Sequence, residues 1–201
     1  STGKTLWSAE VFATPISKGH QKNSQASPTP ILEGNRLYVH FGHLGTACLD
    51  LAGTVVWRNS DIQYSPVHGN GGSPILVDKA LVFSCDGGSD PFVIALDKTN
   101  GKTLWKTSRT SDAARKFSFS TPLLITVNGK KQIISPGSCA VCPLDPQTDR
   151  EIWRARDGDD WRCVIDMEAA VAALGDEPRR VFLTVGRLEL PAFADAPRHH
   201  Y

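Results

Sequence analysis

The side chains equipped to recognise a ligand sit in polar stretches between short apolar runs. Tyr64, His68 and Asn70 share one such stretch, and Arg109, Arg115 and Lys116 share another. On neighbouring loops, a phenol, an imidazole, an amide and three cationic groups could face a channel mouth and read an anionic or peptide ligand; the alternative is solvated loop polarity. His40 and His43 lie at a strand end with no metal-ligand partner in the pattern, which points to packing. Cys48, Cys85, Cys139, Cys142 and Cys163 are odd in number and irregular in spacing, which argues against a disulfide framework. Cys139-Ala-Val-Cys142 has redox or half-zinc-site spacing. It lacks a second such pair, a nearby His and a βαβ context, and so reads as two small residues in a strand. No residue is assigned a catalytic role and no metal site is expected.

The chain has 201 residues, 40% of them hydrophobic, enough for a sizeable core. Its 22 Lys and Arg nearly cancel 21 Asp and Glu, so the basic footprint of nucleic-acid binders is missing and anionic membrane surfaces are not expected partners. Apolar stretches such as 92–96 and 123–127 fall far short of the roughly 18 residues a membrane span needs. No charged n-region followed by an apolar h-region opens the sequence, so no signal peptide is read.

Periodicity is the main signal. Trp7, Trp57, Trp105 and Trp153 are separated by 50, 48 and 48 residues. Gly3-Lys4-Thr5-Leu6-Trp7 returns verbatim as Gly101-Lys102-Thr103-Leu104-Trp105, with Val56-Trp57 and Ile152-Trp153 as looser copies. Leu49-Asp50, Leu96-Asp97 and Leu144-Asp145 precede three of the tryptophans. Further upstream, a small residue, Pro and two apolar residues recur at 29–32, 73–76 and 121–124. Three complete units and the tail of a fourth are present.

Within a unit, Leu37-Tyr38-Val39, Leu81-Val82-Phe83 and Ile133-Ile134 read as strands between turn signals. Four short strands per unit of about 40–50 residues describe a β-propeller blade. The Asp-to-Trp phrase predicts a hairpin in which Gly101 takes a positive φ, with Asp149 at that place in the third copy. One large aromatic per unit can fill the space between neighbouring sheets. The repeat Asp and Trp residues are therefore structural.

Ala95-Leu96-Asp97-Lys98-Thr99-Asn100-Gly101-Lys102-Thr103-Leu104-Trp105 resembles the tryptophan-docking motif of PQQ-like β-propeller repeats, a family that includes quinoprotein alcohol dehydrogenases and the lipoprotein of the outer-membrane protein assembly machinery. The resemblance covers about residues 1–155. His68-Gly69-Asn70-Gly71-Gly72-Ser73-Pro74 and Phe83-Ser84-Cys85-Asp86-Gly87-Gly88 resemble the bacterial PQQ-like repeat proteins, which are usually exported and mostly not known to bind the quinone. The catalytic branch carries adjacent cysteines and a calcium site of Glu, Asn and Asp; this sequence has no Cys-Cys pair and no assignable ligand set, so PQQ is not expected. Closure of a propeller takes about four to eight blades, so three and a fraction imply a truncated propeller with open sheet edges that self-associate.

The composition changes at about residue 156. Residues 156–201 hold no Ser, Asn, Gln or Lys, a single Thr184, seven Ala and six Arg, whereas residues 1–155 hold ten Lys and six Arg. Asp166 to Gly175 predicts a capped, Ala-rich helix with Met167, Ala170, Val171 and Leu174 on one face, and 180–186 a buried strand. Glu189 to Ala194 could open another helix. These elements spell α/β. Pro178-Arg179-Arg180-Val181-Phe182-Leu183-Thr184-Val185-Gly186-Arg187, Glu189-Leu190, Ala192-Phe193 and His199-His200-Tyr201 resemble precorrin-6A reductase, the NADPH-dependent enzyme of cobalamin biosynthesis. That resemblance implies that Gly186 and Arg187 could meet a tetrapyrrole carboxylate or a cofactor phosphate, the alternative being a tight turn and a solvated Arg.

The expected architecture is mainly β: an incomplete PQQ-like propeller of three blades plus a partial one over 1–155, then a short α/β fragment over 156–201. The expected function is a non-catalytic scaffold that binds a protein or small ligand through its loops, in a chimeric chain, with the reductase fragment and then a PQQ-dependent dehydrogenase as alternatives. No cofactor is expected for the chain as it stands, and NADPH only for a complete reductase. The propeller resemblance implies an extracytoplasmic location, the C-terminal one a cytoplasmic location.

Overall fold

The computed structural model describes residues 2–13, 20–88, 90–109, 113–138, 140–156 and 167–175. The chain divides into two compact units, Ser1–Asp157 and Gly158–Tyr201.

In the first unit, three antiparallel meanders follow one another along the sequence, each a four-stranded sheet in strand order. The first consists of β1 (Ile31–Glu33), β2 (Arg36–His40), β3 (Thr46–Asp50) and β4 (Val55–Asn59). The second consists of β5 (Ile75–Val77), β6 (Ala80–Cys85), β7 (Phe92–Asp97) and β8 (Thr103–Ser108). The third consists of β9 (Leu123–Val127), β10 (Lys130–Gly137), β11 (Ala140–Leu144) and β12 (Ala155–Arg156). These are the three blades that the repeat predicts.

The middle blade explains why β6 and β7 are almost wholly apolar. Side chains alternate faces along a strand. Leu81, Phe83 and Cys85 on β6, with Phe92, Ile94 and Leu96 on β7, form one core with Tyr38, Cys48 and Trp57 of the first blade. The intervening Val82, Val93 and Ala95 form a second core with Ile133 and Leu144 of the third. Both faces are buried, and each large side chain removed from water contributes about 1.5–3 kcal/mol.

Three of the repeat tryptophans reach the blade that follows. Trp7 Nε1–H donates to the Leu51 carbonyl at 2.7 Å, Trp57 to Lys98 at 3.0 Å and Trp105 to Pro146 at 3.3 Å. A Cβ on Gly53 would come within 2.6 Å of the Trp7 ring, and one on Gly101 within 2.5 Å of the Trp57 ring. Both glycines also have positive φ, 85° and 74°. Asp149 takes the third such place at φ 57°. Two residues after Trp57 and Trp105, Asn59 Nδ2 donates to the Gly101 carbonyl at 2.7 Å and Thr107 Oγ1 to the Asp149 carbonyl at 3.1 Å. Residues 2–13 carry no strand, yet Trp7 docks as the tail of a preceding repeat would, and Phe12 packs edge-on against Phe41 at 6.0 Å.

The turn aspartates hold their own hairpins. Asp50 Oδ1 accepts the N–H groups of Ala52 and Thr54, Asp97 Oδ1 the N–H and hydroxyl of Thr99, and Asp145 Oδ1 the N–H groups of Gln147 and Thr148. These bonds hold all three carboxyls below their usual range.

The small residue before Pro has a further role. Thr29 N–H donates to Ser73 Oγ at 2.8 Å, and Ser73 N–H donates to Thr121 Oγ1 at 3.0 Å. A hydroxyl there accepts a backbone hydrogen from the preceding blade. In the second unit, α1 (Met167–Leu174) occupies the predicted helix, and Gly175 at φ 73° ends it with its N–H on the Ala172 carbonyl at 3.2 Å. The strand expected over 180–186 and the helix opening at Glu189 lie outside the described residues.

Gly101→Ala adds a methyl group under the Trp57 ring at a left-handed backbone position, and is expected to cost about 2–4 kcal/mol in urea unfolding. Asp149→Gly relieves that backbone position and should leave stability unchanged or raised by about 1 kcal/mol. An unchanged unfolding midpoint for Gly101→Ala would mean that the ring does not rest on the turn.

Candidate functional site

A meander places its connections at alternating ends. The turns β1–β2 and β3–β4, with their counterparts, lie at one end of the blades. The β2–β3 and β6–β7 connections lie at the other, together with the long links from the last strand of one blade to the first of the next. These links begin at 60 and 109, because β4 and β8 run on past their tryptophans.

Three segments meet on the surface at the link end. His20 Nε2 and His68 Nδ1 are 3.3 Å apart with ring centroids at 4.7 Å. Lys22 N–H donates to His20 Nδ1 at 3.1 Å, so the neutral His20 carries its hydrogen on Nε2 and donates it to His68. Phe117 meets the His68 ring edge-on at 5.0 Å, and Phe119, 40% exposed, lies 6.3 Å from it. Asn23 Nδ2 donates to the His68 carbonyl at 2.9 Å. A Cβ on Gly69 would stand 2.6 Å from the Asn23 carbonyl oxygen, and one on Gly71 3.0 Å from Phe119. Loss of solvent, then Lys22, His20 and Arg115, hold the His68 pKa below its ordinary value.

Beneath this surface, two polar clusters join the blades. In the first, Tyr64 OH donates to Asn70 Oδ1 at 2.7 Å and lies 3.4 Å from His40 Nε2. His40 Nδ1 is 2.8 Å from the Thr46 hydroxyl, and its ring lies against Phe83 at 4.2 Å. With the Tyr64 hydrogen directed to Asn70, Nε2–H of His40 faces the phenol oxygen and Nδ1 accepts from Thr46. Burial lowers the His40 pKa to about 3, keeping the ring neutral, and raises that of Tyr64. Gly42 allows the approach, since a Cβ there would be 2.8 Å from Asn70 Cβ.

In the second cluster, Arg109 NH1 donates to both Asp86 oxygens at 3.1 and 2.9 Å and to the Pro136 carbonyl at 3.0 Å. Its NH2 donates to Ser84 Oγ at 3.0 Å and to Ser135 Oγ. Gly137 leaves room, because a Cβ there would fall 2.5 Å from NH1. Burial raises the Asp86 carboxyl to about 6 against the opposing pull of Arg109.

The sequence-derived candidates therefore separate. His68 and Arg115 belong to the surface cluster, with half-buried Lys116 beside Arg115 in the chain. Tyr64 and Asn70 form part of the His40 cluster, and Asn70 is only 5% exposed. Arg109 corrects the expectation of a ligand-facing loop charge: it is 3% exposed, and its guanidinium binds blade to blade. Gly186 and Arg187 lie outside the described residues, as do Cys139 and Cys163, while Cys142 is buried on β11. Sequence reading missed His20, Phe117, Phe119 and Asp86. Phe117-Ser118-Phe119 in a polar stretch, and Asp86 directly after an apolar strand, were the available signals.

The family model described as outer membrane protein assembly factor BamB matches residues 1–193. The chain belongs to this family. The match runs past the composition change at residue 156. Precorrin-6A reductase of Rhodobacter capsulatus is 51% identical over 62 residues, 31% of this chain and 23% of that protein. Precorrin-6A reductase of Sinorhizobium sp is 48% identical over 52 residues, 26% of this chain and 20% of that protein. The chain thus spans under a quarter of the curated relatives it matches. Among solved structures, BamB from Moraxella catarrhalis aligns with TM-score 0.46 and 18% identity, over 63% of this chain and 39% of that one. A europium-containing methanol dehydrogenase aligns with TM-score 0.49 and 22% identity, over 63% of this chain and 24% of that one.

Arg109→Met alone strands the Asp86 carboxylate between blades, and should destabilise the BamB-family propeller by about 3–5 kcal/mol in urea unfolding. Adding Asp86→Leu to it should recover most of that loss. A single variant as stable as the parent would show that the pair does not hold the blades.

Proposed function

We propose that the chain is a non-catalytic β-propeller module that presents its inter-blade links to another protein in outer-membrane assembly. The carrying observation is the surface formed by His20, His68, Phe117 and Phe119, where segments distant in sequence combine exposed apolar area with hydrogen-bonding groups. Family membership supports an extracytoplasmic setting. The buried Arg109 and Asp86 fix the blades that carry this surface. Capture from solubilised outer membranes by the immobilised chain tests the reading: assembly components should be retained, and His68→Ala with Phe119→Ala should reduce retention at least tenfold, since central aromatic anchors each cost about 1–2 kcal/mol or more. Retention unchanged by the double variant, or none by the parent, would overturn it.

A second reading, that the C-terminal segment is a piece of an NADPH-dependent precorrin-6A reductase joined to a propeller, is favoured by the 51% identity to the Rhodobacter capsulatus enzyme. It predicts saturable NADPH binding, seen as enhanced nicotinamide fluorescence and weakened by Arg187→Ala. No change in fluorescence at high protein concentration would sink it.

A further inference from the structure

We infer that the surface around His68 receives an acidic, aromatic-bearing peptide segment of the partner protein. This inference rests on the proposed binding role and names the chemistry of its ligand. The charged groups acting on His68 among the described residues are Lys22, His20 and Arg115, all basic, with no carboxylate among them. They come from both segments packed against it, 20–23 and 113–120, and the remaining close neighbours, Asn23, Phe117 and Phe119, carry no charge. Carboxylates are the complementary charge.

The hydrogen-bond pattern argues for an anion over a metal ion. Because His20 Nδ1 accepts the Lys22 N–H, its Nε2 bears the hydrogen that points to His68 Nδ1. Neutral His68 then carries its own hydrogen on Nε2, a donor suited to a carboxylate. The apolar part of the surface, Phe119 at 40% and Val67 at 46% exposure, calls for an aromatic or aliphatic side chain beside the acidic ones. A net charge of +1 over the whole chain offers little long-range attraction to an anionic membrane, so a peptide is the better match than a lipid surface.

Loss of solvent, then repulsion by Lys22, His20 and Arg115, depresses the His68 pKa, and the attraction of a bound carboxylate would oppose both. Free His68 binds its proton only at lower pH than an ordinary imidazole, and the complex would bind it at higher pH, so binding takes up a proton. Affinity should therefore rise as pH falls through the pKa of the complex and level off below that of the free chain.

The test uses the full chain and a labelled, end-blocked peptide, Asp-Phe-Glu-Phe-Asp-Glu, with its amide counterpart Asn-Phe-Gln-Phe-Asn-Gln, followed by fluorescence anisotropy. The acidic peptide should bind more tightly at about pH 5 than at about pH 8, by about tenfold for each pKa unit that binding adds to His68, and the amide peptide should bind weakly at both. His68→Ala should abolish the pH dependence. Arg115→Glu, at an exposed position that keeps the fold, should weaken the acidic peptide about tenfold. Equal binding of the two peptides, or binding to phosphatidylglycerol vesicles without binding to the acidic peptide, would overturn the inference. Assembly components captured by a chain that ignores the acidic peptide would remove this ligand and leave the proposed function standing; the reverse result would remove the function and leave the site.

Discussion

A tryptophan ring laid over the turn of the following blade sets the spacing that the rest of this structure follows. The ring fills the volume where a Cβ on Gly53 or Gly101 would project, and its Nε1–H reaches a carbonyl in the same turn. One ring thereby ties its own segment to a turn whose accepting residue is 41–44 residues further on. The turn must have an open inner side, the aspartate must hold it shut, and the interval between tryptophans must equal one blade. Where Asp149 replaces glycine, the Trp105 hydrogen bond is the longest of the three at 3.3 Å. The interaction tolerates a side chain at that place because aspartate accepts a left-handed backbone more readily than most residues.

At the opposite end of the blades, the problem is polarity. Long links must leave the sheet, and their polar groups must be either solvated or paired. The structure uses both solutions in layers. His40, Tyr64 and Asn70 between the first two blades, and Asp86, Arg109, Ser84 and Ser135 between the next two, hydrogen-bond to one another out of water, leaving only Asn70 Nδ2 and Arg109 Nε without a partner in these two groups. Such clusters discriminate between arrangements, because a shifted blade would strand a buried charge. The same layer gives the links above it a fixed base, so that His20, His68, Phe117 and Phe119 come together although His20 and His68 are 48 residues apart.

The features legible in the sequence were those with short or periodic causes. Asp97 and Thr99 make their turn within a few residues, and the Trp interval repeats, so hairpins, blades and docking rings could all be read from text. The hydroxyl before proline was visible only as a small residue, because its use as an acceptor for the neighbouring blade depends on Ser73 and Thr121 standing beside each other across a blade boundary. Arg109 misled for a similar reason. Beside Arg115 and Lys116 it looks like one more loop charge, while its partners Asp86 and Ser135 lie 23 and 26 residues away on separate blades. Exposure is a property of the assembled sheets, and local composition does not encode it.

The hydroxyl ladder also bears on how the C-terminal segment should be understood. The family match continues to residue 193, so a fourth inner strand would be expected one repeat beyond the third. Thr121-Pro122 opens the third, and the 48-residue interval carries that position to Ala169-Ala170. No hydroxyl is available there to take a backbone hydrogen, and no proline favours an extended backbone. Alanine is the strongest helix former, and these two residues lie within α1 (Met167–Leu174). The local preference of the chain thus opposes a strand where the repeat calls for one, and the helix forms in its place. Among the described residues the ladder runs from Thr29 through Ser73 to Thr121, and where its next step would fall the Ala-rich sequence forms α1 instead.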